Sequence, residues 1–144
     1  MHIPLYYRRN PWSNTELALG LGVRALATKS REFDKLLLSA IDEALNSLGE
    51  TVKQSIYFHI EKKFSVTRNE IPENLVEFQG GLEKIFGAGA RFIEILIMKN
   101  LHSKIGRPLI MESEQLEFFE YVDAAKEGFL KKPHETEAVE SKLA

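Results

Sequence analysis

The chain is predicted to be all-α, a compact bundle of about five helices with an extended aromatic N-terminal arm. Across residues 33–105 apolar residues recur at helical spacing almost without interruption, and the glycines and prolines fall at joints between these runs. No stretch of useful length alternates apolar and polar residues with the two-residue period of a strand. With 144 residues the chain fits one domain that can bury a core unaided. Cysteine is absent, which removes disulfides, thiolate metal sites and cysteine nucleophiles together.

Tyr6, Tyr7, Arg8, Arg9 and Trp12 lie among prolines, which predicts the extended arm over residues 1–12. Ser13 or Asn14 can cap a weak short helix carrying Leu17, Leu21, Ala25 and Thr28, in which Gly20 and Gly22 cost about 1 kcal/mol each. The first strong helix starts at Ser30: Phe33, Leu36, Leu37, Ile41, Ala44, Leu45 and Leu48 form one stripe, and Gly49 is its expected left-handed stop. A second helix follows over residues 50–64. Its apolar residues Val52, Ile56, Tyr57, Phe58, Ile60 and Phe64 cover more than one stripe, which predicts a central position with neighbours on two sides.

Residues 65–70 are polar, and Pro72 suits the first turn of a third helix. Leu75, Phe78, Leu82, Ile85 and Phe86 keep helical phase through Gly80 and Gly81, so one helix with a closely approaching neighbour is expected there. Gly87, Ala88, Gly89 and Ala90 form a small-residue joint. The fourth helix, to Ile105, is apolar almost all round and must be enclosed by its own domain or by a second copy. After Gly106 and Pro108 a fifth helix is predicted to open near Ser113, with the stripe Phe118, Val122, Ala125 and Phe129. The expected division is an arm with a weak short helix over residues 1–29, a helical domain over 30–132, and a disordered polar tail over 133–144.

The net charge of −2 gives no global drive toward nucleic acid. Residues 1–29 carry 4 Lys/Arg against 1 acid, residues 30–105 carry 10 against 11, and residues 106–144 carry 5 against 9, so the ends are oppositely charged. Pro4, Arg8, Arg9, Asn10 and Pro11 interrupt any secretion-signal core. The most apolar segment, residues 92–98, contains Glu94 and falls far short of the roughly 20 residues a membrane span needs. No membrane partner and a cytoplasmic location are expected.

Catalytic and cofactor motifs fail on physical grounds. Gly20, Gly22 and Ala25 match the G-x-G-x-x-A dinucleotide spacing in letters but lack the strand and βαβ unit that would aim a helix terminus at pyrophosphate. Residues 27–30 do not make a phosphate-binding Walker loop. Ile56, Lys99 and Lys131 stand three residues before His59, His102 and His134, so the Glu-x-x-His pair of di-metal bundles is missing. No cofactor, no metal and no enzyme activity are expected. Tyr57, His59 and Arg91 are the residues from which a polar site would be built. Against that, His59 reads as a partly buried, hydrogen-bonded histidine, and Arg91 as part of a tight joint rather than an anion ligand. His102 reads as a helix-end residue.

The surfaces predicted to dock are aromatic. Tyr6, Tyr7 and Trp12 in the arm can stack on single-stranded nucleic acid, but Arg8 and Arg9 alone neutralise too little phosphate, which favours packing on protein. Phe118, Val122 and Phe129 form the second candidate interaction surface.

The runs Phe33-Asp34-Lys35-Leu36-Leu37-Leu38, Ile41-Asp42-Glu43-Ala44-Leu45, Ser47-Leu48-Gly49-Glu50, Ile56-Tyr57-Phe58-His59-Ile60-Glu61, Glu70-Ile71-Pro72, Leu82-Glu83-Lys84-Ile85-Phe86-Gly87 and Glu94-Ile95-Leu96-Ile97-Met98 resemble the archaeal family called Nitrosopumilus output domain five, over residues 30–105. That resemblance implies a small helical domain tied to archaeal signal transduction, and it carries no catalytic motif onto this chain. The expected function is therefore a non-catalytic regulatory output domain acting by protein–protein interaction and self-association, as a homodimer. The alternatives are a small-molecule sensor with an apolar pocket between the second and fourth helices, or a nucleic-acid-binding regulator. Specific nucleic-acid binding is not expected, because the best basic stretch, residues 61–68, offers only Lys62, Lys63 and Arg68.

Overall fold

The computed structural model describes the backbone of residues 11–106 and 115–143, and the side chains of residues 22–106 and 115–131. Five helices follow one another: α1 (Pro11–Asn46), α2 (Glu50–Phe64), α3 (Leu75–Phe86), α4 (Ala90–Ile105) and α5 (Phe118–Leu143). Short 3-10 turns, Arg68–Glu73 and Gly87–Gly89, precede α3 and α4. There is no strand among the described residues, and the all-α expectation holds. Two compact units divide the chain, Met1–Glu32 and Phe33–Ala144. In the first, the described side chains include the exposed Val23 and Leu26. The second holds the core.

The sequence predicts two helices where α1 is one, and it predicts an extended arm where Pro11 and Trp12 are already helical. Proline is tolerated in a first turn because its missing N–H has no partner there. Gly20 and Gly22 weaken a helix without forbidding it. The rest of the arm, with Tyr6 and Tyr7, lies outside the described residues, as does the Trp12 side chain. At its other end α1 stops at Asn46, and Ser47 Oγ donates to Ala44 O at 2.6 Å. Gly49, at φ 114° and ψ 145°, lies outside the left-handed region expected of a helix stop and is instead the N-cap of α2, its carbonyl accepting the Lys53 N–H at 3.0 Å. A side chain at that φ would be strained, so the glycine has a backbone role.

α2 has the predicted bounds and ends on Ser65 in the left-handed region, φ 58° and ψ 35°. Glu70 Oε1 then accepts hydrogen bonds from the Thr67 N–H (2.9 Å) and hydroxyl (3.0 Å). That closes the start of the 3-10 turn, which contains Pro72. α3 begins three residues later than Pro72, not upon it, with Asn74 O accepting the Phe78 N–H at 3.0 Å. α5 likewise begins at Phe118 rather than near Ser113: the Glu117 N–H donates to Glu120 Oε1 at 3.0 Å, and Glu117 O accepts from Tyr121. A carboxylate three residues into a helix satisfies a first-turn donor, which moves the start to where that pair forms. The backbone of α5 runs on through Pro133 to Leu143, where the sequence predicts disorder.

The core of the second unit is built from Phe33, Leu37, Ile41 and Leu45 of α1, Phe78 and Leu82 of α3, Ile97, Met98 and Leu101 of α4, and Phe118 and Val122 of α5. Each buried side chain of this size contributes about 1.5–3 kcal/mol. Phe78 and Phe118 meet at 6.0 Å between ring centroids, and Phe33 and Phe129 at 5.6 Å. Phe118 and Val122 are fully buried and Phe129 packs on the core, so the stripe predicted as an interaction surface is the face by which α5 closes its own domain. Polar ties reinforce this packing. Lys104 reaches Glu43 at 2.6 Å, Lys126 reaches Asp34 at 3.2 Å, and Asn100 Nδ2 donates to Ala40 O at 3.2 Å.

Candidate functional site: a groove between the second and third helices

α2 buries only Ile56 and Ile60 against the domain. Phe58 is 58% exposed and Val52 39%, which corrects the expectation of a central helix. One row of α2 residues, Val52, Ile56, His59, Ile60 and Lys63, follows the i, i+4, i+7, i+8, i+11 spacing of a helix face and forms one wall of a groove. Lys84, Ile85 and Phe86 of α3 form the other. Gly81 brings the walls together: a Cβ there would lie 2.8 Å from Ile60 Cγ1, inside contact distance. The predicted close approach is present, and its neighbour is α2.

The groove encloses about 790 Å³. Its floor is apolar, with Val52, Ile56, Ile60, Phe64 and Ile85. Its charged and titratable lining is Lys63, Lys84 and His59, and none of the described residues lining it is acidic. His59 is exposed, not partly buried as predicted, because it faces the open groove; its ring stands edge-on to Phe58 at 6.0 Å.

The three predicted polar-site residues do not come together. Tyr57, about 200° around α2 from His59, donates its hydroxyl to Asp42 Oδ1 at 2.5 Å. Arg68 completes the cluster with Nε to Asp42 Oδ1 at 3.0 Å and Nη2 to Oδ2 at 2.5 Å, a two-pronged grip that joins α1, α2 and the 3-10 turn. Burial pushes the Asp42 carboxyl up, but the hydrogen bonds from Arg68 and Tyr57 outweigh it and hold the group below its ordinary value. Burial and donation to Asp42 push the Tyr57 phenol far above its usual range, so it stays a proton donor fixed on one acceptor. Such a tyrosine is a strut.

Arg91 lies in a second cleft, of about 550 Å³, that also contains Gln79, Glu83, Glu94 and Glu117. Its Nη1 is 3.5 Å from Glu94 Oε1. Three carboxylates line the cleft with it, so an anion is not what this cleft is built to hold. The burial of the polar residues Gln79, Glu94 and His102 was scarcely legible in the sequence. The one signal was a lone glutamate inside the apolar run of residues 92–98. His102 lies in the last turn of α4, as the sequence predicts, and its buried ring also packs on Tyr121 at 5.2 Å, which makes it part of the α4–α5 interface. Among the described residues no three His, Asp or Glu side chains gather as a metal site, and no helix is long and apolar enough to cross a membrane.

Comparison of the chain with protein-family models, with curated proteins and with solved structures gives no match.

Proposed function

We propose that the domain is a non-catalytic regulatory module that binds a partner protein, receiving an acidic amphipathic helix in the α2–α3 groove. The observation that carries this is the pairing of an apolar floor with a lining whose charges are all basic. A helix that buries Leu or Ile at i, i+3 and i+4 while presenting glutamates to Lys63 and Lys84 satisfies both features. The resemblance of residues 30–105 to an archaeal output domain is consistent with such a role, in a cytoplasmic signalling setting. The comparisons bring no family to this proposal, which stands on the groove.

Self-association belongs to the same proposal. Phe92 on α4 is 77% exposed, and a second copy would cover it. A strictly monomeric particle in light scattering at tens of micromolar, roughly the weak end of specific interfaces, would remove the homodimer.

The groove is tested by titrating the protein with a labelled acidic amphipathic helical peptide and with its charge-reversed, basic counterpart. Saturable binding of the acidic peptide only, weakened by Lys63→Glu with Lys84→Glu, is expected. Equal binding of both peptides, or no effect of the double variant, would overturn the proposal. The groove volume also falls in the range of about 300–1,000 Å³ typical of small-molecule pockets. Tight binding of a single-chain fatty acid with no peptide binding would favour the sensor reading instead.

A further inference from the structure

We propose that the cleft where α3, α4 and the start of α5 meet binds a small organic cation bearing a primary ammonium or guanidinium group. This site is separate from the α2–α3 groove and does not depend on it.

Among the described residues that line it, the cleft sets three carboxylates, Glu83, Glu94 and Glu117, beside one cation, Arg91. Gln79 fixes two of them. Its Oε1 accepts the Phe119 N–H at 3.2 Å, which assigns the amide orientation and leaves Nε2 facing the acids. Nε2 then donates to Glu83 Oε2 and to Glu117 Oε1, both at 3.2 Å. An amide holds the pair in place but supplies no charge, so the two acids are positioned without being neutralised. Their remaining lone pairs are acceptors for a donor entering the cleft.

Glu94 is the second, independent observation. It lines the cleft, is only 2% exposed, and its Oε2 has no hydrogen-bond partner. A buried carboxylate oxygen in that state has lost its water without gaining a donor in exchange. Its other oxygen has Arg91 at 3.5 Å, the outer limit of a hydrogen bond. Burial pushes this carboxyl up, Arg91 opposes that, and Glu83 from α3 and Glu117 from the start of α5 push it further up. A cation among these groups relieves the repulsion and favours the ionised form of Glu94.

The chemistry of the ligand follows from spacing. Among the described residues these acids do not form a group that could hold a metal ion. An ammonium offers three donors and a guanidinium five, enough to reach separate carboxylates from one charged centre. A cleft of about 550 Å³ accommodates a short alkyl diamine or an aminoalkylguanidine. By linkage, a cation that lowers the Glu94 proton affinity releases a proton to solvent as it binds, and it binds more tightly as pH rises through the raised Glu94 range.

The test is calorimetric titration of the full chain with putrescine and with agmatine, with sodium chloride at matched ionic strength as control. Each titration is run in two buffers of different ionisation enthalpy. One saturable site is expected for at least one probe, with fractional proton release within a series of pH values stepped upward from the ordinary glutamate value of 4.5. Glu83→Gln with Glu117→Gln is expected to weaken binding by roughly tenfold or more, the scale of one lost charge-assisted contact. Glu94→Gln keeps the shape and is expected to abolish the proton release, a change that a purely structural role would not produce. Cooperative thermal unfolding of each variant checks that it folds. Absence of saturable binding at millimolar probe, or binding and proton release that survive both sets of substitutions, would overturn the site.

Discussion

α2 and α4 look alike in composition, each carrying more apolar residues than one stripe holds. Their surroundings are opposite. α4 buries Ala90, Ile93, Ile97, Met98 and Leu101, and draws Glu94 and His102 in with them, whereas α2 buries Ile56 and Ile60 and leaves Phe58 and Val52 in solvent. The α4 neighbours α3 and α5 cover it, while α2 meets α3 closely at Gly81 and α1 through the Tyr57–Asp42 hydrogen bond. An apolar helix thus has two fates, closing a core or offering a face to another molecule. α2 leaves part of its apolar surface outside the core, along the groove.

The largest test of that contrast is truncation on each helix. Ile97→Ala in α4 leaves a cavity in packed surroundings and is expected to cost about 2–5 kcal/mol, whereas Phe58→Ala on α2 should stay within about 0.5 kcal/mol. Denaturant midpoints measure both, and comparable losses would erase the distinction between the helices.

Next in size is the line along which α2 meets α3. Gly81→Leu would drive a side chain into Ile60 and is expected to cost about 1–3 kcal/mol. Gly80→Ala meets only Phe64, at an ordinary 3.8 Å, and should instead stabilise by up to about 1 kcal/mol through helix propensity. Thermal melts that moved in the same direction for both would show that the close approach is not at Gly81.

The smallest effect separates two acids by the sign of their pH dependence. Asp42 is held below its ordinary value of 3.8, so its contribution is present above that pH and is lost as pH falls through the lower folded value. Glu94 is raised above 4.5, so the domain is free of its burial penalty below that pH and loses stability as pH rises through the higher folded value. Tyr57→Phe removes one donor to Asp42, expected to cost about 1 kcal/mol near neutrality and less in acid. Glu94→Gln should flatten the high-pH side alone. Stability curves against pH that keep the same shape in both variants would reject these assignments.

Much of the fold was legible because helical phase is local. The bounds of α2 and α4, the joint at residues 87–90 and the need for small residues in α3 all follow from spacing and from glycine. Helix starts were less legible. α1 runs through Ser30, and α5 waits for the Glu117–Glu120 pair, because capping residues permit a start without imposing one. The candidate sites were the least legible: Tyr57 pairs with Asp42, fifteen residues away, and Gln79 with Glu117 and Phe119 across the bundle.

The sequence by itself determined that this chain is helical, because a 3.6-residue apolar period can be buried only by a helix. It also determined where backbone must bend or approach closely, since only glycine permits φ near 114° at residue 49 or the contact at residue 81. Tertiary structure alone decided which apolar faces are spent inside. Phe118 and Val122 went to the core while Val52 and Ile85 stayed on a groove, and Glu94 came to lie buried beside two other acids. Periodicity assigns a residue to a face of its own helix. What that face meets is set by residues distant in the chain.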